Sequence, residues 1–90
     1  MTIAFQAPAQ LTSTQCGQLL GAIDAVLQQD NVAIDLSQVN SLDSSAVALL
    51  LEWQRRALRA NRQLEWQAPP AALRQLVKVY GVQDLLQIKP

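Results

Sequence analysis

Apolar positions along this chain recur with the spacing of strands in some segments and of helices in others. "TIAF" (2–5) reads as a short strand ended by Pro8. "NVAIDLS" (31–37) is a clearer one, with Val32, Ile34 and Leu36 on one face and Ala33 and Asp35 on the other. Between them Cys16, Leu19, Leu20, Ile23 and Leu27 follow at helical spacing, which predicts one helix through about Gln29. Thr12 with Gln15 three residues later has the form of a capping box, and Leu11 with Cys16 that of a hydrophobic staple. Gly17 and Gly21 lie inside this helix, each costing about 1 kcal/mol relative to Ala. Close packing against another backbone would account for them.

The second half repeats the alternation. A helix is predicted over 44–60, a strand within "NRQLEWQAP" (61–69) carrying Leu64 and Trp66, and a helix after Pro69-Pro70 with Leu73, Leu76, Val77 and Tyr80 as one stripe. Gly81 is placed to close that helix, and "VQDLLQI" is a short helical turn or an extended tail. Strands alternating with helices argue for one layered α/β domain over 1–90, with a small sheet of about 3–4 strands and helices packed mainly on one face. The helix between strands 32–36 and 63–67 makes that pair a parallel β-α-β unit.

The 44–60 helix has an unusual cross-section. At 100° per residue, Val47, Leu50, Leu51 and Leu58 share one sector, and Ala46, Leu49, Trp53, Ala57 and Ala60 fill an adjoining one. Glu52, Arg55, Arg56 and Arg59 take the rest. A helix lying on a sheet buries one stripe. The second either meets another helix of the same domain or is an apolar patch kept for a partner.

Composition narrows the chemistry. A single cysteine, Cys16, and no histidine leave hardly a ligand set for a metal site, and no disulfide framework within the chain. No apolar run is long enough to span a bilayer, and "MTIAFQAPAQ" lacks the basic segment and apolar core of a secretion signal. A cytoplasmic location without direct membrane insertion is therefore expected. Net charge is zero, yet every charged residue before Arg55 is acidic, while five Arg and two Lys follow against Glu65 and Asp84. That polarity can orient a partner or simply mark two solvated faces. Nucleic acid is not expected, since there is neither a dense basic cluster nor a set of stacking aromatics.

The 44–60 helix opens on Asp43-Ser44-Ser45. Asp43 or Ser44 is a natural N-cap, and the same helix end is hospitable to an anion, including a phosphate carried on Ser44 or Ser45. No catalytic constellation accompanies these serines, so neither enzymatic activity nor a cofactor is expected.

The stretch "DLSQVNSLDSSAVALLLEWQRRA" (35–57) resembles the signature of STAS domains: a strand ending in Asp-Leu-Ser, a short loop, Asp-Ser-Ser, then a leucine-rich helix. Within that family, "ALRQLVKVYGVQDLL" (72–86) and the short overall length are most similar to the MlaB-type subunits of the Mla phospholipid ABC transporter. The resemblance runs over about 31–86. Two positions depart from it: "QAPAQLTST" replaces the usual end of a two-stranded N-terminal hairpin, which implies a sheet short of one edge strand, and Ala46 stands where anti-sigma factor antagonists carry Gly.

The resemblance implies a non-catalytic STAS subunit, peripheral to the inner membrane, that docks on an MlaF-like ATPase subunit and supports phospholipid transport and outer-membrane lipid asymmetry. Ser44, Ser45, Ala46, Leu49 and Trp53 would form the docking face, with Asp35 and Asp43 organising the loop before it. The alternative it implies is an anti-sigma factor antagonist, a switch whose partner is an anti-sigma factor kinase and whose phosphorylated residue would be Ser45.

Overall fold

The computed structural model describes residues 2–88. In chain order the elements are β1 (Ile3–Gln6), β2 (Gln10–Leu11), α1 (Ser13–Leu19), α2 (Asp24–Leu27), β3 (Val32–Asp35), β4 (Ser41–Leu42), α3 (Ser44–Arg59), β5 (Leu64–Gln67), α4 (Ala71–Val79) and α5 (Gln83–Leu86).

Val32, Ala33 and Ile34 are buried in succession because β3 is the middle strand of a three-stranded parallel sheet, in the order β1-β3-β5. The register sets Phe5 beside Ile34 and Ile34 beside Trp66, a row that packs on the helical side with Val32 and Leu64. The opposite rows, Ala4-Ala33-Glu65 and Gln6-Asp35-Gln67, form the open face, where all but Ala33 and Asp35 are exposed. Helices thus cover one face of a small sheet, and β3-α3-β5 is the expected parallel unit. With β1 joined to β3 alone, the outer side of β1 is a sheet edge.

The predicted helix through Gln29 is two helices. α1 stops at Leu19, turns through Leu20–Ile23, and α2 adds one further turn. At the break the Ala22 N–H donates to the Leu19 carbonyl at 3.0 Å, a short turn in place of the helical bond. The close-packing explanation of the glycines is not supported: a Cβ on Gly17 would meet nothing within 4 Å, and one on Gly21 only side-chain atoms of Asp24 and Arg56 at 3.7 and 4.0 Å.

Two helices end in the same way. Asn61 (φ 57°) follows α3 and Gly81 (φ 69°) follows α4, each in the left-handed region. The next N–H then reaches back, Arg62 to the Ala57 carbonyl at 2.8 Å and Val82 to that of Val77 at 3.1 Å. These are Schellman closures, and they turn the chain toward β5 and α5 respectively.

A second, two-stranded parallel sheet pairs Gln10 with Ser41 and Leu11 with Leu42. Neither strand is apparent from the sequence pattern, since two residues carry no period. Their effect is positional: the starts of α1 and α3 are brought side by side. Among the described residues, no helix is long and apolar enough to cross a membrane.

Candidate functional site

The side-by-side helix starts share one carboxylate. Asp43 is the N-cap of α3, accepting the Ser45 N–H at 2.8 Å, and its other oxygen accepts the Ser13 N–H of α1 at 3.2 Å. These hydrogen bonds, the one from Ser45 foremost, hold the Asp43 carboxyl below the usual carboxylate range. Asp35 does parallel work at the end of β3: it accepts the Ser37 N–H at 2.8 Å, turning the chain out of the sheet, and the Ser37 hydroxyl, followed by that N–H, lowers its pKa. Between these carboxylates the loop is pinned by Leu36 and Val39, both buried, and by N–H donation from Asn40 and Ser41 to the Ala9 carbonyl at 2.8 and 3.2 Å. The serine end of α3 therefore sits on a braced platform.

Two apolar grooves flank that end. One, of about 320 Å³, lies toward the end of α4 and is lined by Ser44, Val47, Ala48, Leu51, Tyr80 and Val82. The other, of about 220 Å³, lies toward α1 and is lined by Ser13, Gly17, Leu20, Ser45 and Ala48, with the nearly enclosed Cys16 and Leu49 also lining it. Ala48 borders both and is exposed, so it is the ridge between them. Ser44 is exposed and Ser45 half-buried. Tyr80 at 54% and Leu20 at 38% exposure mark the outer limits of this apolar strip. Cys16 is nearly enclosed; burial, and after it the Asp43 carboxylate, push its thiol pKa up, away from nucleophilic use.

The structure divides the expected docking residues. Ser44 and Ser45 are where the reading of the sequence put them, at an accessible helix end. Ala46, Leu49 and Trp53 are not on the surface: their exposures are 0%, 1% and 0%. The correction has a clear cause. The stripe they belong to packs against α1, and Trp53 runs through that contact to the sheet, meeting Phe5 edge-on with ring centroids 5.6 Å apart at 82°. Its indole N–H donates to the carbonyls of Leu19 and Leu20 at 3.2 and 3.3 Å, where the break after α1 leaves them available. The Trp53 stripe is exposed only at its end, Ala60, whereas the stripe assigned to the sheet opens along its length: Val47 and Leu50 are buried, Leu51 is half-buried, and Leu58 is 65% exposed. Ala48, Leu51, Tyr80 and Val82 were missed as surface residues. The signal available for Ala48 and Leu51 was their spacing of four and seven from Ser44 on one helix face.

The uneven charge along the sequence is partly cancelled by folding. Arg56 pairs with Asp24 and Glu52 at 2.8 Å each, and Arg55 with Glu52 at 3.1 Å. The acidic first half and basic second half thus meet along α3.

Comparison with known proteins bears on this arrangement. A search of curated sequences finds no match. Among solved structures the fold is similar to the anti-sigma factor antagonist SpoIIAA in its unphosphorylated form, with a TM-score of 0.72 and 15% sequence identity over 99% of this chain and 91% of that one. At that identity the likeness is one of fold. The sequence itself matches the family described as "Mlab, STAS domain" over residues 6–87. That span takes in β3 and β5 of the parallel sheet, the Asp43-capped serine end of α3 and the closing helices, and the chain belongs to the MlaB-type STAS domain family.

Proposed function

We propose that the chain is a non-catalytic STAS subunit that docks on the ATPase of a phospholipid-transporting ABC complex and supports its assembly or activity. It would act in the cytoplasm, at the inner membrane through that complex. The observation that carries this reading is the apolar strip over the serine end of α3, with Ser44, Ala48 and Leu51 between two grooves and Tyr80 at the rim. A rigid ridge between two clefts suits a protein partner that inserts side chains on either side, and an exposed tyrosine is a typical anchor. Membership in the MlaB-type family supports the choice of partner.

Co-purification with the ATPase subunit tests it. Ala48→Arg puts a charge on the ridge without touching the core and should abolish the complex, while Tyr80→Ala should weaken it by about 2 kcal/mol if the ring is an anchor. Full recovery of the ATPase by a folded A48R variant would remove this docking face.

The second reading is an anti-sigma factor antagonist, supported by the fold likeness to SpoIIAA and by the place of Ser45. A phosphate there adds a charge of about −1.5 to −2 beside the carboxylate of Asp43. Repulsion would loosen the cap that Asp43 provides to α1 and α3 together. Mass measurement after incubation with an anti-sigma factor kinase and ATP separates the two readings: a gain on Ser45 selects the switch, and no gain leaves the transporter subunit.

A further inference from the structure

The three-stranded sheet has two free edges among the described residues, and they are built differently. The β5 edge carries Glu65 and runs into Ala68 at φ 52°, then Pro69 and Pro70. Charge, a kinked backbone and proline are the features that keep an edge from acquiring another strand. The β1 edge is likewise followed by a proline, Pro8, but it has neither charge nor a left-handed residue over Ile3–Gln6, and no charged side chain occurs in the sequence before Asp24.

The backbone of β1 is also available. Ile3 and Ala7 direct their N–H groups inward, to the carbonyls of Asn31 and Asp35 at 2.8 and 2.9 Å. Partners alternate along a strand, so Ala4 and Gln6 turn their N–H and C=O groups outward. Next to them an open cavity of about 480 Å³ is bounded by Phe5, Ala7, Pro8, Ala9 and Leu19, with Gln6 and Gln38 also lining it. Phe5 and Leu19 are only half-buried there. A strand added to this edge would find hydrogen-bond partners along it and apolar room on its helical side.

We propose that β1 is a self-association edge, to which a second copy of this chain adds its own β1 antiparallel across a two-fold axis. Centring the axis on Phe5 sets Ala4 of each copy opposite Gln6 of the other as hydrogen-bonded pairs. The two Phe5 residues then form the closer, non-hydrogen-bonded pair, with their rings on the helical side. The sheet becomes six-stranded by isologous contact, and the absence of charge on the segment means that two identical edges do not repel. A second copy is the occupant because the same short uncharged strand and the same apolar cavity serve both halves of the contact. No residue of the Ser44–Ala48 ridge takes part, so failure here leaves the ATPase reading standing.

Sedimentation equilibrium of the whole chain tests the proposal. The wild type should dimerise reversibly. Ala4→Pro removes an outward N–H without disturbing the inward bonds, and should raise the dimer dissociation constant about tenfold or more through loss of two symmetric hydrogen bonds. Should A4P fail to fold, charge swapping decides. A variant with Ala4→Lys and Gln6→Lys should be monomeric, and so should one with Ala4→Glu and Gln6→Glu, whereas a mixture of the two should pair. A wild type that stays monomeric at the highest soluble concentration overturns the proposal. So does an A4P dimer as tight as wild type, or a charge-swapped mixture that stays monomeric.

Discussion

The indole N–H of Trp53 donates to the carbonyl oxygen of Leu19 across 3.2 Å, tying the middle of α3 to the last residue of α1. One side chain thereby fills the space between helix and sheet and also satisfies a backbone group at a helix break. In a domain of this size, whose whole stability is about 5–15 kcal/mol, such a residue is among the costliest to remove.

Trp53→Ala should destabilise the fold by about 3–5 kcal/mol, the range for deleting a large buried aromatic. Trp53→Phe keeps much of the volume and loses the hydrogen bond, and should fall between that variant and the wild type. Urea denaturation followed by circular dichroism measures both. Wild-type stability in W53A would mean that the indole is not part of the core, and would return it to the surface role that its place in the sequence suggested.

The glycines give a pair of opposite signs. Gly81 holds φ at 69° to close α4, so Gly81→Ala should cost about 1 kcal/mol from backbone strain alone, there being no neighbour within 4 Å to clash. Gly17 lies within α1 with open space at its Cβ position, and Gly17→Ala should stabilise by up to about 1 kcal/mol. Thermal midpoints moving in the same direction for both would contradict this account of the two positions.

Asp43 predicts a pH dependence with a definite sign. Its carboxyl titrates lower in the folded chain, chiefly because the Ser45 N–H bonds the ionised form. Between the folded and unfolded pKa values the unfolded chain binds more protons, so stability rises with pH there. The contribution is fully present above the unfolded value of about 3.9 and is lost as pH falls through the folded one. Asp35 and Glu52 add in the same direction, through Ser37 and Arg56. Asp43→Asn should therefore lower stability at neutral pH and flatten the acid limb only in part. The gap between wild type and D43N, read by denaturation at a series of pH values, should be constant above about pH 5 and shrink below pH 4. A gap that widens on acidification would exclude the cap as its source.

Much of the architecture could be read from spacing. The alternation of Val32, Ile34 and Leu36 marked β3, the helix after Asp43 began at its expected start and ended within one residue of its expected end, and Gly81 sat where a left-handed residue was required. The break between α1 and α2 was not legible, because Leu19, Leu20, Ile23 and Leu27 keep a helical period across it. At the break the Leu19 and Leu20 carbonyls accept from Trp53, far along the chain, a contact that spacing within 12–29 does not register. β2 and β4 escaped notice for a related reason: two-residue strands exist through their pairing, not through their own pattern.

By itself the sequence determined the local elements, the cap at Asp43 and the parallel order of β3 and β5, since propensity, capping and crossover geometry act over short stretches of chain. It also determined that α3 has two apolar stripes, because a helical period converts spacing into angle. Only the tertiary structure decided which stripe stays partly open. Angle about a helix axis does not say which neighbour stands at that angle. β2 and β4 set α1 beside α3, so the Trp53 stripe is covered and the strip from Ser44 through Ala48 to Leu51 faces outward.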